Sequence, residues 1–152
     1  MKRIAATLVL AIFVVCAMAA VVRASTEDEA KAMVEKAVAY WKTHGREKAV
    51  TEFNNPKGQF VKDDLYINSN DFDGINLANG ASPAMAGSNH LQLKDMNGKY
   101  FIQEMIEIAK TKGSGWVEYT WTNPLTKKTQ TKATYVKKVE GANVFIGCGV
   151  FK

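Results

Sequence analysis

The amino-acid sequence predicts a single α+β domain: an antiparallel sheet with a long amino-terminal helix and covering helices and loops. Three observations predict it. The chain reads helix, helix, two strands, loop, helix and three strands, and strands joined by short connections pair antiparallel. Gly115–Val139 gathers Tyr119, Trp121, Thr131, Thr134, Tyr135 and Val136 around the polar loop TNPLTKKT, which makes it a long hairpin. About 128 residues follow the amino-terminal apolar segment, the size of one domain with its own core.

Lys2 and Arg3 precede an apolar run from Ile4 to Val22, then small residues, which is the order of a secretory signal. Ala17-Met18-Ala19 offers one cleavage site and Val22-Arg23-Ala24 a second. Residues 1–24 are therefore expected to be a signal peptide, and 25–152 the domain. The run of 19 residues is also close to the ~20 that span a bilayer as a helix. An uncleaved inner-membrane anchor over residues 4–22 is the alternative. With either end the domain is expected in the periplasm or secreted. Cys16 does not suggest a lipoprotein, because Phe13-Val14-Val15 lacks the small residue such a site needs. Loss of Lys2, Arg3 and Arg23 would leave 17 basic and 15 acidic residues, a net charge of +2 rather than +5. The remaining charges are dispersed or in short runs such as Lys127-Lys128, so no nucleic-acid partner is expected.

Ser25 or Thr26 caps a first helix whose opening turn holds Glu27, Asp28 and Glu29, acids favoured by the helix dipole. Ala30, Met33 or Val34, Ala37 and Trp41 form its apolar stripe to about Thr43. Gly45 interrupts, and Arg46 to Phe53 reads as a second helix with Ala49, Val50 and Phe53 inward, stopped by Asn54-Asn55-Pro56-Lys57-Gly58. Leu65–Ser69 is a strand, Asn70–Gly74 a turn and Ile75–Ala78 the returning strand. The D-x-D of that turn lacks the pattern and closing glutamate of a calcium loop. Asn79–Asn89 is an irregular loop long enough to have a covering or binding task. Asp95-Met96-Asn97-Gly98 turns into a helix over Tyr100–Lys110, with Phe101, Met105, Ile108 and Ala109 on one face. The hairpin follows, and Val144–Phe151 closes the sheet; its Gly147 and Gly149 suit close approach of backbone or ligand.

Within the hairpin, Trp116, Glu118 and Thr120 lie on one face, and Val117, Tyr119 and Trp121 on the other. The second face must meet either the core or the wall of a ligand pocket. Cys148, the one cysteine after residue 24, reads as a buried inert thiol. His44 and His90 are isolated, and there is no C-x-x-C-H, so neither a metal nor any other cofactor is expected.

Several blocks follow one another in order: Phe72-Asp73-Gly74, Leu77-Ala78-Asn79-Gly80, Pro83 and Gly87-Ser88-Asn89, then Asp95-x-x-Gly98-Lys99-x-Phe101. The most distinctive is Gly113-Ser114-Gly115-Trp116-Val117-Glu118-Tyr119-x-Trp121-x-Asn123-Pro124. Lys132-x-x-Tyr135-Val136 and Ile146-Gly147-x-Gly149-Val150-Phe151 complete the set. Together these blocks resemble the single Cache family of extracytoplasmic sensor domains. The resemblance covers nearly all of Ala30–Phe151, and departs at Asn79, where the family commonly has histidine. It implies a PAS-like sheet, no catalysis, and a small organic acid or amide bound between the sheet and its covering loops. It also implies the stand-alone secreted form, which would signal through a separate membrane receptor or kinase.

The resemblance points to Tyr119, Trp121, Lys132 and Tyr135 as ligand-binding candidates, and the residues themselves add Tyr66, Asn79 and Trp116. Aromatic rings shape an apolar wall, while a tyrosine hydroxyl and a lysine ammonium hold a carboxylate in a partly dry site. Core packing is the other reading of Trp121 and Tyr135, and a solvated strand position that of Lys132. Lys132 and Tyr135 have opposite strand parity, so they share a pocket only across a bulge or strong twist. A membrane-tethered structural domain without a ligand is the alternative function. A small secreted enzyme is a weaker one, since no nucleophile or carboxylate pair has supporting spacing.

Overall fold

The computed structural model describes residues 23–152. The expected signal peptide or anchor lies outside the described residues, apart from Arg23 and Ala24. Helix α1 spans Glu27–Phe53 and opens with a capping box. The Glu29 N–H donates to Thr26 Oγ1 at 3.2 Å, and the Thr26 N–H donates to Glu29 Oε2 at 2.9 Å. Gly45, at φ 81° and ψ 171°, breaks the helical conformation and separates the two segments the sequence predicts. Ala30, Val34, Ala37, Val38 and Trp41 are buried before the break, and Ala49 and Phe53 after it.

Strands β1 (Val61–Lys62), β2 (Leu65–Asp71) and β3 (Asn76–Asn79) follow, then a short 3-10 helix at Pro83–Met85 and helix α2 at Phe101–Lys112. Strands β4 (Ser114–Thr122), β5 (Thr129–Lys138) and β6 (Val144–Phe151) complete the chain. The sheet order is β1-β2-β6-β5-β4, with β3 also paired to β2, and every pairing is antiparallel. β1 escapes sequence reading because two residues carry no periodicity.

The two faces of this sheet have different cover. α1 packs on one, against Ile67, Ala133, Tyr135, Ile146, Cys148 and Val150. α2 packs on the other, where Phe101, Ile102, Met105, Ile106 and Ala109 meet Val117, Tyr119, Val136 and Phe145. Ile102 and Ile106 are thus buried on α2, while Ile108 is only half-buried. β6 runs between β2 and β5 and is buried along its whole length.

Asp95 fixes α2 to the sheet. Its Oδ1 accepts from the N–H groups of Asn97 and Lys99, each at 2.9 Å, and its Oδ2 accepts from the Thr120 N–H at 2.9 Å. Thr120 belongs to the edge strand β4, so the carboxylate supplies an acceptor that no strand offers. These bonds hold its acid below the ordinary aspartate range. In the earlier turn, Asp71 Oδ1 accepts from the N–H groups of Asp73 and Ile75 at 3.1 and 2.8 Å. The D-x-D motif is therefore a turn clasp.

Candidate ligand-binding site

A cavity lies between the α2-side face of the sheet and the segment that joins β3 to α2. Strand alternation builds its floor. Ile67 and Ser69 point one way on β2, while Tyr66, Asn68 and Asn70 point into the cavity. Asn68 pairs with Gly147 and Asn70 with Phe145 on β6. On β5, Thr134 pairs with Gly149 and Lys132 with Phe151. A Cβ on Gly149 would stand 2.5 Å from Lys132 Cε, and one on Gly147 would stand 2.8 Å from Asn68 Oδ1. The two glycines leave the space in which the lysine stem and the asparagine lie.

β4 supplies the aromatic wall. The Tyr119 ring stacks on Phe101 of α2, with centroids 4.2 Å apart, and Trp121 meets Phe101 edge-on at 5.3 Å. The Tyr119 hydroxyl is 3.1 Å from Thr134 Oγ1, so it is satisfied within the protein. From the covering segment come Asn79, Met85, His90 and Leu93. Asn79 Oδ1 accepts from the N–H groups of Ala81 and Ser82 at 3.1 and 3.0 Å, which shapes the loop. Its Nδ2 lies 3.5 Å from Met85 Sδ.

In this conformation the cavity volume is about 20 Å³, room for one water molecule. An outer cleft of about 250 Å³ adjoins it, lined also by Ala81, Ser82, Thr122 and Pro124. Tyr66, Asn79, Met85 and Trp121 border both spaces and form the partition between them. Joining the two spaces into one chamber would require this partition to be displaced.

Lys132 is the dominant charge in the cavity. It is 2% exposed, and among the described residues it forms no ion pair or hydrogen bond. Its Nζ stands 3.8 Å from the centroid of the Tyr66 ring and 4.7 Å from that of Phe151. Two aromatic faces replace only part of the hydration an ammonium gives up. Burial accordingly drives its pKa below the ordinary lysine value, opposed mainly by the Tyr119 phenol. Burial likewise raises the phenols of Tyr66 and Tyr119 and lowers the His90 imidazole. An anion entering the cavity would meet an uncompensated positive charge in a nearly dry site.

The structure brings Tyr66, Asn79, Tyr119, Trp121 and Lys132 together around this cavity. It does not bring Trp116 or Tyr135 there. Tyr135 lies among the core residues under α1 with Trp116 packed against it, ring centroids 5.3 Å apart, and Lys31 Nζ sits 5.5 Å from the Tyr135 centroid. Strand parity is the reason: β5 has no bulge between Lys132 and Tyr135 in its pairing with β4 or β6, so the two point to opposite faces. Asn68, Asn70, Asn76, His90, Phe101 and Ile102 line the cavity without having been singled out from sequence. One signal for them was present. For Asn68 and Asn70 it is the polar residue at every second position in Tyr66-Ile67-Asn68-Ser69-Asn70, where Asn68 stands opposite Gly147 of β6.

The profile of the single Cache domain 2 family matches residues 2–152. The chain belongs to that family. Solved structures place this single Cache domain among chemotaxis sensors in fold. The methyl-accepting chemotaxis protein of Vibrio parahaemolyticus RIMD 2210633 superposes with a TM-score of 0.69 at 23% identity, covering 82% of this chain and 86% of that one. A periplasmic sensor domain of a chemotaxis protein gives 0.63 at 21% identity, covering 82% and 88%. A Cache chemosensory domain solved for carboxylic acid recognition gives 0.64 at 22%, covering 82% and 86%. In sequence, the domain is 32% identical over 88 residues to the sensor histidine kinase MctS of Rhizobium johnstonii. That match spans 58% of this chain but 19% of the kinase.

Membership makes this a non-catalytic extracytoplasmic sensor domain with the PAS-like α+β fold. Among the described residues, no group of three or more His, Cys, Asp or Glu is placed to hold a metal ion. No described helix is long and apolar enough to cross a membrane. Cys148 lies under α1, buried, with its thiol pushed up to about 12 by that burial.

Proposed function

We propose that the domain binds a short organic acid in the cavity beneath its covering loop, with Lys132 as the counter-charge to the carboxylate. The observation that carries this reading is the buried ammonium without an ion pair. A charge so placed costs stability unless something anionic meets it. Tyr66, Tyr119 and Trp121 supply apolar and aromatic walls for the carbon chain, and Asn79 and Met85 hold the loop side. The carboxylic-acid-recognising Cache domain and the match to a sensor kinase support the same ligand class and a signalling role. Occupancy would be reported to a separate membrane receptor or kinase. Residues 1–24 would act as an export signal or, if retained, residues 4–22 as an anchor; amino-terminal sequencing of the exported protein separates the two.

The test is a thermal-shift screen of acetate, propionate, butyrate and their amides against protein shown to be ligand-free. A ligand at 100 times its Kd stabilises by about 2.7 kcal/mol, a rise in Tm on the order of 10 °C for a domain this size. The acids should give such a rise in wild type and not in Lys132→Met. Stabilisation by none of them, or equal stabilisation of the Met variant, would count against the assignment.

A further inference from the structure

The same cavity has a second polar end, built from acceptors. Asn70 and Asn76 face each other in register on β2 and β3. Asn70 Nδ2 donates to the Gly74 carbonyl at 3.3 Å, leaving its Oδ1 to accept from Asn76 Nδ2 at 3.1 Å. Asn76 Nδ2 also lies 3.3 Å from the carbonyl oxygens of both Ser69 and Ala78. Three acceptors around one nitrogen fix the amide's orientation, since the flipped group would set oxygen against oxygen. Asn76 Oδ1 is then left without a donor, and among the described residues it is the only side-chain nitrogen or oxygen that is both sealed from solvent and without a partner. The residue is 2% exposed, so bulk water does not serve it.

His90 contributes a second acceptor. Ser88 Oγ donates its single hydrogen to the Met85 carbonyl at 2.5 Å. The 2.8 Å bond between Ser88 Oγ and His90 Nε2 must therefore have the imidazole as donor. The proton of the neutral ring sits on Nε2, and Nδ1 carries a lone pair that meets no donor among the described residues. Both Asn76 and His90 line the cavity that Lys132 lines, and no aspartate or glutamate does.

Resting on the carboxylate reading above, we infer that the ligand carries a hydroxyl group as well, which donates its one hydrogen to an acceptor at this end of the cavity, Asn76 Oδ1 or His90 Nδ1. A hydroxyl is a donor without charge. An ammonium would be a second cation in a cavity with no carboxylate to meet it. The domain therefore selects hydroxy acids over both the parent acids and the amino acids. Tyr66, beside Lys132, and Asn70, beside Asn76, are four residues apart on β2, about 13 Å between Cα atoms. The spacing of hydroxyl from carboxylate therefore matters.

Calorimetric titration of matched pairs tests this on the wild-type domain: propionate with 2-hydroxypropionate, butyrate with 3-hydroxybutyrate and with 4-hydroxybutyrate, and alanine as the ammonium control. At least one hydroxy acid should bind tenfold or more tighter than its parent, and alanine should not bind. In Asn76→Leu, in His90→Phe or in both, each shown to fold by its circular dichroism and a cooperative melt, the ratio of hydroxy-acid to parent-acid affinity should fall to under threefold. Equal affinity within every pair, with Lys132→Met still abolishing binding, overturns the hydroxyl assignment and leaves the carboxylate reading standing. A preference that survives both variants overturns the assignment to this acceptor pair. Binding of no acid at all sinks both readings.

Discussion

Replacing Lys132 with methionine should make the ligand-free domain more stable. The side chain is 2% exposed and lies between the rings of Tyr66 and Phe151. An ammonium in such a place carries a desolvation penalty of several kcal/mol. Against this stand two cation–π contacts worth up to about 2 kcal/mol each when desolvated. A thioether in the same slot recovers roughly 1 kcal/mol from the same rings. The balance is a gain of about 1–3 kcal/mol, read as a higher urea midpoint with an unchanged slope. The gain should also depend on pH. Between the lowered folded pKa of Lys132 and the ordinary 10.5, the unfolded chain binds a proton that the folded domain does not, so wild-type stability rises with pH there. The variant lacks that rise, and its advantage should narrow toward 10.5. Tyr66, Tyr119 and Cys148, all pushed up by burial, act in the opposite direction but are common to both proteins and largely cancel in the difference. A variant less stable than wild type by 1 kcal/mol or more at neutral pH would refute the reasoning, because Lys132 would then be a structural tie.

Three further outcomes follow from the geometry. Gly149→Ala places a methyl 2.5 Å from Lys132 Cε and 3.0 Å from the Ala133 carbonyl; it should cost about 1–3 kcal/mol in urea unfolding and weaken acid binding at least as much as stability. Asp95→Ala removes the acceptor for three N–H groups and should cost roughly 2–3 kcal/mol, whereas Asp95→Asn, which keeps one oxygen, should cost less. His90 is held neutral by burial, so stability should drop as pH falls below 6.5 through its lowered folded value; thermal melts of His90→Phe should lack that component.

Much of this architecture is legible in the sequence because its signals are local. Thr26 with Glu29, the break at Gly45 and the alternating aromatics of β4 each act within a few residues. The separation of Lys132 from Tyr135 is legible too, since parity alone demands it. Trp116 was equally decidable: it alternates with Val117 and Tyr119, and its aromatic character does not change the face it occupies. What escapes the sequence is long-range. Asn68 and Asn70 become cavity residues only through the β2–β6 pairing, across more than 70 positions of chain. His90 reads as an isolated loop histidine until the Gly74 carbonyl accepts from its N–H at 2.8 Å and Ser88 orients its ring. The stack of Phe101 on Tyr119 depends on how α2 docks, which the Asp95 clasp determines.

The central claim is that a carboxylate pairs with the Lys132 ammonium and so stabilises its charged form. Calorimetry of a binding acid in buffers of different ionisation enthalpy, at rising pH, tests it most directly. Between the lowered folded pKa and 10.5, binding should take up a proton, affinity should fall as pH rises, and Lys132→Met should show neither binding nor uptake. Acid affinity that is independent of pH over that range, or undiminished in the Met variant, would contradict the account.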